Sequence, residues 1–86
     1  MLNILYSEKF IVQFESLPPK IQKLAHKRIG MFCANPKHPS LNTHKLNGVL
    51  DGYFSFSIDF QTRIIFEYGK SGTVHFLKIG SHDVYK

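Results

Sequence analysis

Apolar and polar positions along this chain change their spacing several times, and each change marks an element. Residues 2–6, Leu-Asn-Ile-Leu-Tyr, form a short apolar run that reads as a strand. Ser7 follows as a helix N-cap, with Glu8 favourable in the first turn. Phe10, Ile11, Phe14 and Leu17 then recur at helical spacing, which predicts an amphipathic helix of about two to three turns. Pro18-Pro19 ends it and opens a second helix, since proline is tolerated in a first turn. In that second helix Ile21, Leu24, Ala25, Ile29, Phe32 and Cys33 form one stripe, and Lys20, Lys23 and Lys27 lie on another face. Asn35-Pro36 stops it. So short a link between two helices predicts an antiparallel hairpin.

Residues 35–43 read as a polar loop carrying Pro36 and Pro39, followed by His44-Lys45-Leu46 and the turn signals Asn47-Gly48 and Asp51-Gly52. From there the spacing becomes two. Over residues 53–60, Phe54, Phe56, Ile58 and Phe60 fall on one face and Tyr53, Ser55, Ser57 and Asp59 on the other. Residues 63–68 form a second strand, Lys70-Ser71-Gly72 a turn, and residues 73–79 a third strand. The short connections imply an antiparallel meander. The first strand cannot form a hairpin with its successor across two helices, so it lies beside a later one. The fold class expected is α+β, with a small antiparallel sheet in the order β-α-α-β-β-β. The N-terminal helical hairpin covers one face and leaves the other partly open.

Composition narrows the class. Eighty-six residues suit a single domain, 1–86. With 43% hydrophobic and 14% aromatic residues, eight Phe and no Trp, the chain can build a Phe-rich core and is not disordered. One cysteine, Cys33, permits no internal disulfide, which points to a reducing cytoplasm and a buried, inert thiol. No run is long enough for a membrane span, and residues 1–6 are too short for a signal sequence. The net charge of +5 is unevenly spread. Residues 16–50 contain no Asp or Glu, but hold Lys20, Lys23, Lys27, Arg28, Lys37 and Lys45. That half suits a polyanion or an acidic protein partner.

The candidate chemistry gathers at the end of the meander. Arg63 opens a central strand; a guanidinium there holds a phosphate oxygen, or pairs with Asp59 or Glu67. His82 is a candidate general acid or base. Asp83 adjoins it, but neighbouring side chains of an extended segment point apart, which argues against a His-Asp relay. Tyr85 either docks on the core or stacks a base. If the loop before the second strand folds over the open face, His44 becomes a second acid-base group and Lys45 a phosphate clamp. Five histidines raise the question of a metal, but there is no H-x-x-x-H, CxxC or carboxylate cluster, so no metal and no cofactor is expected.

Taken in order, Leu17-Pro18-Pro19, His44-Lys45-Leu46-Asn47-Gly48, Gly52-Tyr53-Phe54-Ser55-Phe56-Ser57-Ile58, Arg63-Ile64-Ile65-Phe66 and Ile79-Gly80-Ser81-His82-Asp83-Val84-Tyr85 resemble the RelE/ParE superfamily of toxins from type II toxin–antitoxin modules. The RelE-like and YafQ-like mRNA interferases are the nearest match. The resemblance spans nearly the whole chain. It implies a microbial RNase fold, a cognate antitoxin, and metal-free cleavage of mRNA on the ribosome by 2′-hydroxyl attack. It maps Arg63 onto the cation at the transition state, His82 onto acid-base work, Tyr85 onto the C-terminal aromatic and His44 onto the YafQ-like loop histidine. Lys45, Lys23, Lys27, Arg28 and Lys78 become phosphate contacts to RNA. One departure stands out: several RelE-like toxins carry cations along the strand that here reads Phe54-Ser55-Phe56-Ser57. The general base is then left to His44 or His82. A ParE-like gyrase inhibitor and a non-catalytic antitoxin-binding relative stay open as alternatives.

Overall fold

A computed structural model describes residues 2–81. His82 and Tyr85 lie outside the described residues. Strand β1 (Asn3–Tyr6) leads into helix α1 (Glu8–Glu15) and then helix α2 (Pro19–Ala34). The rest of the sheet is β2 (His44–Lys45), β3 (Phe54–Ser57), β4 (Arg63–Tyr68) and β5 (Thr73–Gly80). The strand order is β1-β5-β4-β3-β2. Strands β2 to β5 pair antiparallel, and β1 joins β5 in parallel. Three antiparallel steps separate β2 from β5, so the chain leaves the helices into β2 at the far edge running opposite to β1, and the meander brings β5 back parallel to β1.

Local chemistry sets these boundaries. The Ser7 hydroxyl accepts a hydrogen bond from the Phe10 N–H at 2.9 Å and donates one to the Leu77 carbonyl at 2.8 Å. One side chain thus caps α1 and ties it to β5. The Gln13 Oε1 takes the Ile79 N–H at 3.0 Å, satisfying a β5 edge group past the point where β1 ends. Pro19 opens α2, and Gln22 donates to the Leu17 carbonyl at 2.8 Å, closing the link between the helices.

The core lies between the helices and one sheet face. Phe32 of α2 stacks on Phe56 at 4.5 Å between ring centroids and meets Phe66 and Phe76 edge-on. Phe10, Ala25, Ile29, Leu41, Ile58, Ile64, Val74 and Ile79 complete the buried cluster. Burying a side chain of this size contributes roughly 1.5–3 kcal/mol, so the Phe cluster is the main source of stability in so short a chain.

Four expectations need correction. Phe60 is not on the core face: β3 ends at Ser57 and the Phe60 ring is 90% exposed. Asp59 is the cause. Its Oδ1 accepts from the N–H groups of Gln61 (2.9 Å) and Thr62 (2.6 Å), turning the chain before the alternation reaches Phe60. Ile11 is half exposed, because α1 buries only Phe10 fully. His44 and Lys45 form a short edge strand, since their backbone pairs with Ser55 and Phe54. The loop before them is not wholly polar either: a 3₁₀ turn at Pro39–Leu41 drives Leu41 into the core.

Candidate functional site

The open sheet face is defined by β4, where Ile64 and Phe66 turn into the core and Arg63 and Ile65 turn away from it. Ile65 is covered from that side by a second small cluster with Leu46, Leu50 and Tyr53. The segment between β2 and β3 therefore does fold over the open face. Leu50, Tyr53, Ile65, Leu77 and Lys78 line a notch of about 130 Å³ there. Lys78 reaches this face through an irregularity in β5. Ile65 pairs with Lys78 but Phe66 with Phe76, so Leu77 and Lys78 both fall outside the core cluster.

Arg63 stands at the other end of this face. Its cross-strand partners are Ser57 on β3 and Gly80 on β5. Lys78 is its diagonal neighbour, about 7–8 Å away between Cα atoms. The guanidinium is held in place by its own turn: Nη1 donates to the Asp59 carbonyl at 2.7 Å and the Thr62 carbonyl at 3.5 Å. It makes no ion pair with a carboxylate among the described residues; Glu67 instead lies 3.5 Å from His75. A fixed, permanently charged fork of donors facing an open sheet can hold a phosphate oxygen.

His44 pairs with Ser55 and so belongs to the same face, while Lys45 pairs with Phe54, whose ring turns into the core side. The two neighbours therefore part company. Strand spacing and rise place His44 about 12 Å from Arg63 between Cα atoms, a gap suited to a nucleotide rather than to a direct hydrogen bond. The His44 Nδ1 lies 2.9 Å from the Asn42 carbonyl, which orients the exposed ring. Lys23 and Lys27 lie elsewhere. They line a cleft with Phe14, Pro19, Gln22 and His26 on the helical side. Arg28 is tied to the 3₁₀ turn through the Ser40 hydroxyl and carbonyl, at 3.0 and 3.2 Å. The structure thus brings Arg63, Lys78 and His44 to one face and puts Lys23, Lys27, Arg28 and Lys45 on other sides.

Burial by itself raises the Asp59 carboxyl. The hydrogen bonds from Thr62 and Gln61 and the nearby Arg63 charge outweigh it and hold the group below its ordinary value. Asp59 thus stays ionised while its carboxylate points at backbone N–H groups. Burial pushes the Cys33 thiol up, which keeps it protonated and unreactive. Burial, with Cys33 nearby, also raises Tyr6. Among the described residues no group of three His, Cys, Asp or Glu side chains could hold a metal. None of the described helices is long and apolar enough to cross a membrane.

The signal that sequence reading missed is the Asp59 turn. The sequence offers Asp59 as a carboxylate partner for Arg63, whereas the contact runs through its backbone carbonyl. The spacing Asp-x-Gln-Thr, an acceptor two and three residues before two N–H groups, was the available clue.

No protein-family model and no curated protein matches the sequence. Solved structures do match. YafQ from E. coli superposes with a TM-score of 0.80 at 15% identity, covering 99% of this chain and 98% of its own. A YoeB/ParE toxin from Agrobacterium tumefaciens gives 0.79 at 15% identity over 94% and 99%. The RelBE2 toxin–antitoxin complex from Mycobacterium tuberculosis gives 0.78 at 18% identity over 94% and 98%. Two helices, a five-stranded mixed sheet and full-length superposition together establish that this chain has the α+β fold of the RelE/YafQ-like toxins.

Proposed function

We propose that this chain is the toxin of a type II toxin–antitoxin module and cuts mRNA on the ribosome without a metal. The observation that carries the reading is Arg63, fixed by the Asp59 carbonyl on an open sheet face that also bears Lys78 and His44. In the reaction the 2′-hydroxyl attacks the adjacent phosphorus and the bond from phosphorus to the 5′-oxygen breaks. The products are a 2′,3′-cyclic phosphate and a 5′-hydroxyl. A base takes the 2′ proton and an acid supplies one to the leaving oxygen. Arg63 stabilises the charge on the pentavalent phosphate, with Lys78 adding to the positive field. His44 and His82 are the acid-base candidates, and Tyr85 is the aromatic that stacks a base or carries a proton.

The cognate partner in this reading is an acidic antitoxin. An apolar cleft of about 220 Å³, lined by Tyr6, Phe10, Ile11, Phe14, His26 and Ile29, runs beside the Lys23 and Lys27 cleft. An amphipathic acidic segment fits that combination. A second reading, a ParE-like inhibitor of DNA gyrase, is favoured by one observation: Ser55 and Ser57 put no cation on the open face of β3.

The test is primer extension on a reporter mRNA in a purified translation system, with a gyrase supercoiling assay in parallel. Cuts that appear only when ribosomes are present support the nuclease. Intact mRNA with blocked supercoiling overturns it in favour of gyrase. Intact mRNA with normal supercoiling leaves antitoxin binding alone.

A further inference from the structure

Phe60 stands out once the open face is assigned. Its ring is 90% exposed at the tip of the turn between β3 and β4. The turn itself is rigid. Ile58 and Thr62 are buried at its two ends, the Ile58 N–H donates to the Thr62 carbonyl at 2.8 Å, and Asp59 Oδ1 binds two further N–H groups. Arg63 is fastened to the same turn through the carbonyl of Asp59, the residue just before Phe60. Ring and guanidinium are thus carried by one small, hydrogen-bonded unit. The acid nearest them, Asp59, has its carboxylate directed to backbone N–H groups.

We propose that Phe60 is a stacking platform for a nucleobase next to the phosphate held by Arg63. This rests on the endoribonuclease reading above. An exposed π-face on the same turn that fastens a cation matches the two repeating parts of a nucleotide, its base and its phosphate. A protein contact is the weaker fit. Docking surfaces need contiguous apolar area, and Phe60 is flanked by Asp59 and Gln61. Of the other exposed large apolar side chains, Leu5, Tyr6, Ile11 and Val12 lie on β1 and α1, Val49 on the β2–β3 segment, and Tyr68 at the opposite end of β4 from Arg63. The role given to Phe60 is binding and positioning of substrate, not proton transfer.

The experiment compares wild type with Phe60→Trp, Phe60→Leu and Phe60→Ala on ribosomes programmed with an mRNA carrying 2-aminopurine at the cleaved step. Two signals are read: single-turnover cleavage against protein concentration, and quenching of 2-aminopurine in a non-cleavable 2′-deoxy version of the same mRNA. The account expects Trp to preserve both. Leu and Ala should raise the half-saturating concentration roughly tenfold to a hundredfold, the loss of one base stack, with little change in the maximal rate and an unchanged melting temperature. Quenching should be present in wild type and lost in Leu. Leu equal to wild type in both signals overturns the proposal, since it keeps the apolar bulk and lacks the ring. If wild type fails to cut any mRNA, the endoribonuclease reading falls; quenching, which needs no cleavage, then still decides for or against the stack.

Discussion

Asp59 shows how much a single side chain decides in this chain. Its Oδ1 ends β3, exposes Phe60 and lets its own carbonyl hold Arg63. The carboxyl is held below its ordinary value of 3.8, so its folded form binds a proton less readily than its unfolded form. Its contribution to stability is therefore fully present above that value and is lost as pH falls through the depressed folded value. Asp59→Asn, which keeps the acceptor but cannot titrate, should flatten the acid limb of a denaturation series run from about pH 2 to 6. Asp59→Ala should lower stability by about 1–3 kcal/mol at neutral pH, because two N–H groups lose their acceptor. Equal acid limbs for wild type and Asp59→Asn would contradict this. At this scale the sequence was only partly readable. Arg63 could be picked out by its place at a strand start, and Ser7 by its cap position. The exposure of Phe60 ran against the strict alternation, which argued for burial; the Asp59–Thr62 hydrogen-bonding motif, whose spacing is the only clue in the sequence, overrode it.

Among elements, the junction of α1 with β5 braces the stretch of β5 that carries Lys78. Ser7 and Gln13 bind β5 at Leu77 and Ile79, the stretch where its register slips and Lys78 emerges beside Arg63. Ser7→Ala removes both the cap and the bond to Leu77 and should lower stability by roughly 1–2 kcal/mol. Gln13→Leu should leave the Ile79 N–H without its acceptor and speed its hydrogen exchange well above that of Val74 and Phe76, measured by NMR. Protection of Ile79 equal in the variant and wild type would remove the clamp from the account. The helices, the three meander strands and the β1 return were legible because each has its own spacing, and short links fix antiparallel neighbours. The slip in β5 was not. It shows only in the pairing of β4 with β5, at a stretch whose Leu77 carbonyl is taken by Ser7, 70 residues away in sequence. The pairing of His44 and Lys45 with β3 was hidden for a related reason, since two residues are too few to show a period.

For the whole molecule, the basic side chains divide between two faces. Arg63, Lys78 and His44 share the open sheet face, while Lys23 and Lys27 line the cleft on the helical side. The acid-free half of the sequence predicted a polyanion or acidic partner, but charge along a chain does not say which face it will occupy. Paired reversal, Lys23→Glu with Lys27→Glu, should reduce ribosome affinity and flatten its salt dependence by about two phosphate contacts. Cleavage on saturated ribosomes should be unaffected. A slower saturated rate would put these lysines at the reacting phosphate instead. Whether Arg63 carries transition-state charge is decided by single-turnover cleavage of ribosome-bound mRNA by Arg63→Gln and wild type, with melting curves on both. The account predicts a folded variant whose maximal rate falls by about 10²–10³, the usual loss for one such donor. A folded variant that cleaves at the wild-type rate would contradict it.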